Sequence, residues 1–410
     1  MRIACIVNQF PPNITAGLGR YVELITPYLA RDHDVTVYTL NDGGLPVDER
    51  VDGVTVHRPR NRLLGGGRRR RLNRTRRVEF LLLALRVVAS NARYVLRLRR
   101  GPRPDLVAVH DSTNFLAGLL CHYLLRLPVV FHVHTTEYGV APQRSITDPL
   151  NLFAALERWL ARVARRVVVA TPEVREQLLA AGWRRTPIEV VPLGGTYEPV
   201  LADPAFDREA LGAEAAALRG TLGLAKGERV LLFVGRIERQ KGVYQLLEAM
   251  REVAAAVPGV RLVLVGEGDE TGVRRIVAAT GLRGRVLTSG RFVTGRELMA
   301  YYELAEACVF PSLFEPFGLV ATEAMALGRA TVLGDGFSRI FAGPDPARPA
   351  VRFVRAGEPA DIARGVIEVM TDAALRRALA RRGERFVRES LSWERAAAET
   401  AGIYRAALKR

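Results

Sequence analysis

Two short stretches carry residue types that suit the chemistry of phosphates and sugars. Gly235 to Gly242 reads GRIERQKG and sets Arg236 and Lys241 on a glycine-bounded loop between a strand and a helix. Two cations so placed suit a diphosphate, Arg as a planar fork and Lys as a point charge. Lys241 carries extra weight because the chain has 57 Arg and only 3 Lys. The second stretch, Ala307 to Gly328, reads ACVFPSLFEPFGLVATEAMALG. It predicts a buried strand from Cys308 to Pro311, a loop from Ser312 to Phe317 and a helix from Gly318 to Leu327. Gly318 has no Cβ and lets backbone approach a ligand closely. The first helical N–H groups behind it have no partner within the helix and can bind an anion. Glu315 in the loop and Glu323 in the helix can accept hydrogen bonds from sugar hydroxyls. Glu323 alone reads better as a solvated charge, but the two stretches together favour a nucleotide site.

These loops need strands and helices to hold them. Apolar runs predict strands at Arg2–Val7, Val35–Thr39, Leu106–Val109, Val129–Val133, Val167–Ala170 and Ile188–Val191. A second series follows at Val230–Val234, Leu262–Val265, Val286–Ser289, Cys308–Pro311, Thr331–Leu333 and Val351–Val354. Helical patterns separate them. Such alternation argues for an α/β fold of parallel sheets with helices on both faces. Ligands of such sheets sit over the C-terminal strand ends. The pattern divides the chain into residues 1–195, a helical connecting segment at 196–226, and a second α/β domain at 227–389. The closing stretch, 390–410, is an amphipathic helix with Trp393 and Tyr404 as packing anchors. In the first domain, Gly17 and Gly19 lie in the loop NQFPPNITAGLGRY, where G-x-G alone is a weak signal. The strand at Val129–Val133 runs into HVHTTEYG. His132 and His134 are expected on opposite faces, and His134, followed by Thr135, Thr136 and Glu137, is the better site candidate.

The chain carries a net charge of +17, concentrated between Arg58 and Arg103, where sixteen Arg face a single acid, Glu79. Two readings of that segment stand level. It is a surface for anionic lipid head groups or an acidic acceptor, or it is a solvated arginine-rich loop before a core helix. Nucleic acid is not expected, since no aromatic interleaving or known motif accompanies the charge. No apolar run reaches the ~18 residues needed to span a bilayer. The opening MRIACIVNQFPP is too short in its apolar part for a signal peptide. Cys5, Cys121 and Cys308 each sit in an apolar run, without metal-ligand spacing. Reduced thiols, a cytoplasmic location and no metal site are therefore expected. Lipid binding by the basic segment would add peripheral attachment to the inner membrane face.

G-R-I-x-x-x-K-G at Gly235–Gly242 followed by E-P-F-G-x-x-x-x-E at Glu315–Glu323 resembles the GT4-type retaining glycosyltransferases of the GT-B fold, also called group 1. The resemblance spans nearly the whole chain. It implies two Rossmann-like domains facing a cleft, with acceptor bound by the N-terminal domain and a nucleotide-diphosphate sugar by the C-terminal one. It also implies a last helix crossing back to the first domain. By that similarity Arg236 and Lys241 hold the diphosphate, and backbone at Gly235, Phe317, Gly318 and Leu319 faces phosphate and sugar. Glu315 contacts the sugar hydroxyls, Glu323 the ribose, and His134 the sugar. Glu267 and the turn Arg291–Phe292–Val293 lie near the base, and the Gly17/Gly19 loop near the donor. The donor is a UDP-, GDP- or ADP-linked sugar, used as substrate without a cofactor. The acceptor is a sugar, a lipid-linked sugar or an aglycone. The sequence departs from the family at Leu193, where Asn is usual. It departs also in GDGFSRIFAG after the Thr331 strand and in VRFV beyond it.

Two other readings share this fold: an idle module that binds membrane or a partner, motivated by the basic segment, and a nucleotide-sugar epimerase. A dinucleotide dehydrogenase is poorly supported, because Gly266-x-Gly268 lacks the third glycine at the fingerprint spacing.

Overall fold

The computed structural model describes residues 1–14, 17–41, 44–60, 76–134 and 150–409. The chain divides into two compact units, Met1–Leu193 with Trp393–Arg410, and Gly194–Ser392.

The first unit is built on an eight-stranded sheet: β1 (Arg2–Ile6), β2 (Asp34–Tyr38), β3 (Asp48–Val51), β4 (Val54–His57), β5 (Leu106–His110), β6 (Val129–Val133), β7 (Arg166–Val169) and β8 (Ile188–Val190). The order is β3-β4-β2-β1-β5-β6-β7-β8, and every pairing is parallel except β3 with β4. Its helices are α1 (Gly17–Ala30), α2 (Arg76–Arg100), α3 (Phe115–Tyr123), α4 (Leu150–Val163) and α5 (Pro172–Ala180). Right-handed crossovers carry α2 to α5 over one face of the sheet and α1 over the other. Tyr94, Leu98, Leu119 and Leu160 from these helices and Trp183 from the loop after α5 share one core with Val107, Val129 and Phe131. The hairpin β3–β4 was not expected. It turns at Asp52–Gly53, both in the left-handed region (φ 48° and 81°), a dipeptide that favours such turns.

The second unit holds α6 (Glu198–Leu201), α7 (Arg208–Thr221), β9 (Arg229–Val234), α8 (Val243–Ala256), β10 (Val260–Val265), α9 (Glu270–Ala279), β11 (Val286–Thr288), α10 (Gly295–Leu304), β12 (Ala307–Phe310), α11 (Leu319–Ala326), β13 (Ala330–Gly334), β14 (Arg352–Val354), α12 (Pro359–Thr371) and α13 (Ala373–Ser390). Its six strands are all parallel, in the order β11-β10-β9-β12-β13-β14. Every strand expected from the apolar runs is present, with ends shifted by at most two residues. Residues 196–226, read as a connecting segment, lie within the second unit, where α7 packs against α10. The last helix, α14 (Trp393–Leu408), returns to the first unit and packs against α1. Trp393 and Tyr404, the expected anchors, are both buried there.

Candidate functional site

In the second unit the two motif stretches meet at the C-terminal ends of β9 and β12. β9 ends at Val234, and the chain then runs through Gly235 and Arg236 to a short 3-10 turn, Arg239–Lys241. Gly242 follows with φ 68° and caps α8. A Cβ on Gly242 would fall 1.8 Å from the Pro311 carbonyl oxygen, so only glycine lets this turn lie against the end of β12. The turn is stitched to the second loop by Leu313 N to Gln240 O at 2.9 Å and Gln240 Nε2 to Phe314 O at 3.2 Å. The outcome is an ion pair between Lys241 Nζ and Glu315 Oε2 at 2.5 Å, with the two side chains 18% and 11% exposed. Ser312 Oγ also donates to that carboxylate oxygen, at 3.5 Å. Arg236 behaves differently. It is 66% exposed and, among the described residues, pairs with Glu238 alone, at 2.9 Å.

Behind Glu315 stands the N-terminus of α11. Gly318 caps it with φ 91° and no side chain fills the cap. A Cβ at Gly318 would sit 2.2 Å from the Phe337 ring and 2.8 Å from Glu315 Cγ. The Phe337 ring and Glu315 thus form a wall that leaves no spare room for a side chain at Gly318. That wall includes the loop after β13: Gly336 O accepts from Glu315 N at 3.0 Å, and Phe337 and Phe317 each pack on the buried Phe341. Sequence reasoning treated GDGFSRIFAG as a departure and missed its part in holding Glu315. The glycines directly after an apolar strand were the available signal. Glu323 is buried, and Tyr302 Oη donates to its Oε2 at 2.8 Å. Burial, then the neighbouring Glu323 charge, pushes the Tyr302 phenol well above its usual range, so that O–H stays protonated.

The loops after β9 and β10 run side by side, with Ile237 N donating to Glu267 O at 2.8 Å and Asp269 N to Ile237 O at 2.9 Å. Glu267 Oε1 in turn accepts from Phe292 N at 3.2 Å. The residues that the resemblance groups together, Glu267 and Arg291–Val293, are thus in contact. Phe292 is exposed, Val293 is buried and Arg291 is tied to Glu297.

In the first unit the candidate residues are imidazoles. His134 follows β6, and His132 and His110 lie in β6 and β5. The expectation that His132 and His134 point to opposite faces is wrong. Residues two apart on a strand share a face, and the two rings lie nearly parallel, 6.3 Å apart. His110 stacks on His132 at 4.4 Å and shares a hydrogen bond with His134, Nδ1 to Nε2, at 3.2 Å. Tyr21 from α1 covers His134 at 4.7 Å between ring centroids. Tyr404 from α14 reaches His132 Nε2 at 2.9 Å. Burial raises the Tyr404 phenol well above its usual range, so Tyr404 is the donor. Burial also keeps the imidazoles neutral: His110 and His132 fall well below the usual value, and His134 falls to about 4. Thr135, Thr136 and Glu137 lie outside the described residues.

Gly17 and Gly19 form the first turn of α1 rather than a free loop. Gly19 is buried, and a Cβ there would be 3.0 Å from Gln9 Cβ, so it serves a close approach of chain to helix. Arg58, counted with the basic loop, is fully buried. It pairs with Glu49 and donates to Pro11 O at 2.6 Å, so it holds the fold together and leaves no charge for a partner. Most of the basic loop, 61–75, lies outside the described residues.

Comparison with known proteins agrees with this architecture. Residues 16–194 match a family described as a glycosyl transferase 4-like domain, and residues 215–386 match glycosyl transferases group 1. An uncharacterized glycosyltransferase of Methanocaldococcus jannaschii is 28% identical over 416 residues, covering 100% of this chain and 99% of the relative. A 2-deoxystreptamine glucosyltransferase of Streptomyces kanamyceticus is 31% identical over 68% of this chain and 71% of its own length. Among solved structures, a sucrose-phosphate synthase from Thermosynechococcus elongatus superimposes with a TM-score of 0.75 at 23% identity, over 99% of this chain and 98% of that one. With its two parallel-sheet units and both halves matched, the chain belongs to the GT4-type group 1 glycosyltransferases, of the GT-B fold.

Proposed function

We propose that this glycosyltransferase moves a hexose-type sugar from a nucleotide-diphosphate sugar to an acceptor hydroxyl with retention of configuration. The observation that carries this reading is the Lys241–Glu315 pair, 2.5 Å apart, beside the N-terminus of α11, whose Gly318 cap has no side chain. A fixed cation and the first-turn amides of a helix, which have no partner within the helix, offer a diphosphate its counter-charge, and a carboxylate beside them can accept from sugar hydroxyls.

Breaking the sugar–phosphate bond builds positive charge at the anomeric carbon and negative charge on the departing diphosphate. Lys241, Arg236 and the Leu319 amide are proposed to stabilise that departing charge. The proposal routes no step through a metal. The acceptor attacks on the face the diphosphate leaves, and a phosphate oxygen takes its proton, so retention needs no dedicated protein base. Glu315 is assigned to the sugar hydroxyls, with backbone at Gly235, Phe317 and Gly318 beside the phosphates and sugar. Glu323 is assigned to the ribose, and Glu267 with Arg291, Phe292 and Val293 to the base. In the first unit, His134 is the proposed sugar-contacting group, and the Gly17/Gly19 turn is proposed to shape the donor side of that unit. The relative named as a glucosyltransferase supports a hexose donor. The proposed boundaries of the functional domains are 1–195 with 390–410 for acceptor and 227–389 for donor.

Calorimetric titration with UDP, GDP and ADP tests the donor site. One nucleotide is expected to bind, and Lys241→Ala is expected to weaken it by about tenfold or more, the usual loss for a charge-assisted contact. Binding by none of the three overturns the reading and moves the idle-module alternative ahead.

A further inference from the structure

The layer of α2, α3 and α4 leaves apolar surface uncovered. Leu85, Val88 and Leu96 of α2 are 54%, 47% and 45% exposed. Their spacing, with exposed Ala92 between them, puts all four on one face of the helix. On the neighbouring helices Tyr123 and Leu124 are 53% and 68% exposed, and Trp159 is 47% exposed. Trp159 Nε1 donates to Tyr123 Oη at 3.3 Å, so the two rings form one projecting pair. Six of the ten exposed large hydrophobics among the described residues lie on this layer.

Arginines crowd one end of this layer. Arg99, Arg100, Arg126, Arg162 and Arg165 are exposed, and none pairs with an acid among the described residues. Arg103 Nη2 donates to Leu125 O at 3.2 Å, which ties the end of α2 to the end of α3 and gathers these charges. The only acid described within α3 and α4, Glu157, is buried. In right-handed crossovers these helices run antiparallel to the strands, so their C-terminal turns lie at the N-terminal edge of the sheet. That edge is away from the strand ends where His134 stands.

Exposed leucine, valine and an amphipathic aromatic pair, with arginines at one end that pair with no acid among the described residues, match the chemistry of a lipid interface: rings at head-group depth and cations on lipid phosphates. We propose that the outer face of α2, α3 and α4 docks the enzyme on an anionic bilayer. A polyanion such as nucleic acid would use the arginines but gains nothing from Leu85, Val88, Leu96 and Leu124. The docking face stands independently of the transfer reaction, since it shares no residue with the Lys241–Glu315 site.

Vesicle flotation and tryptophan emission test it on the full chain. Trp183 and Trp393 are buried, so a blue shift on vesicle binding reports Trp159. The wild type is expected to float with vesicles containing about one-third phosphatidylglycerol, with blue-shifted emission, and to remain behind with pure phosphatidylcholine. High salt should weaken binding, since surface charge is screened. Arg99→Glu with Arg100→Glu and Arg126→Glu should lower vesicle affinity more than about tenfold. Leu85→Ser with Val88→Ser and Leu124→Ser should lower it as well, with binding to a polyanion such as heparin unchanged. Trp159→Phe should float and lose the shift. The emission of buried Trp183 and Trp393 without vesicles, measured on every variant, shows that the first unit is folded, and nucleotide binding separates failure of docking from failure of the donor site. No flotation of the wild type at low salt overturns the proposal. So does flotation indifferent to the leucine and valine changes, or an unshifted Trp159, either of which would indicate charge alone.

Discussion

In the first unit three imidazoles stack between Tyr21 and Tyr404, all held neutral by burial. In the second unit Lys241 lies against Glu315, and other cations also pair with acids, Arg229 and Arg376 with Glu306 at the opposite, N-terminal strand ends among them. Both regions crowd polar groups at or near strand ends, and they solve the burial problem in opposite ways. A neutral imidazole can be buried at the cost of one hydrogen-bond partner, while a charge needs a counter-charge and further donors. A neutral layer suits contact with an uncharged sugar. A charged loop suits a phosphate, and the diphosphate proposed for this site would compete with Glu315 for Lys241.

The comparison is broken most severely at Lys241. Lys241→Ala leaves Glu315 without its cation and removes the positive charge proposed for the leaving group. Transfer is expected to fall about a hundredfold or more, with the emission of the tryptophans unaltered. Single-turnover kinetics measure it, and near-normal transfer would sink the assignment. All three tryptophans, Trp159, Trp183 and Trp393, belong to the first unit, so emission reports that unit alone.

Gly318→Ala sharpens the contrast by damaging only the second unit. The new Cβ meets the Phe337 ring at a backbone φ of 91°. A cost of about 2 kcal/mol or more is expected, seen as a lower urea midpoint by far-UV circular dichroism. An unchanged midpoint would show that the wall gives way easily.

Acid separates the units next. The native pKa values of His110, His132 and His134 lie below the unfolded value of 6.5, and His134 lies at about 4. Between those values the unfolded chain binds protons that the native unit refuses. First-unit stability therefore falls as pH drops below 6.5, by about 1.4 kcal/mol per pH unit for each such histidine. In the second unit the Glu306 carboxyl is lowered by Arg229 and Arg376 against its own burial, and Asp361 by the Arg355 amide and neighbouring arginines. Their contribution persists above the ordinary carboxylate pKa and is lost only as pH falls through their lower native values. Tryptophan emission should change at higher pH than the circular dichroism of the second unit, and simultaneous loss would contradict this.

The smallest effect is at Tyr404→Phe, which deletes the donor to His132 Nε2 and leaves the ring. About 1 kcal/mol is expected, confined to the emission-detected transition. A shift in the second unit's transition would show that the hydrogen bond is not a local one.

What was legible in the sequence was local. Lys241 and Gly242 drew notice because a lysine is rare in this chain and a glycine follows it, and Glu315 to Glu323 because loop, glycine and helix come in order. The strands were legible because buried parallel strands read as continuous apolar runs. The β3–β4 hairpin was missed because it is short and its alternation weak, although Asp52–Gly53 marked the turn. Arg58 was misread because charge counting does not see burial. The imidazole layer was missed because its bonds join distant residues: His110 and His134 lie 24 positions apart, and His132 and Tyr404 lie 272 apart.

By itself the sequence determined the alternation of strands and helices, the motif loops and the concentration of arginine, since each follows from residue type at short spacing. Tertiary structure alone decided that Lys241 meets Glu315, 74 positions away, that Phe337 walls in Gly318, and that the histidines stack neutral beneath Tyr21. Ion pairs, pKa values and close packing depend on distance and burial, and those exist only once the strands have paired and the loops have been brought together.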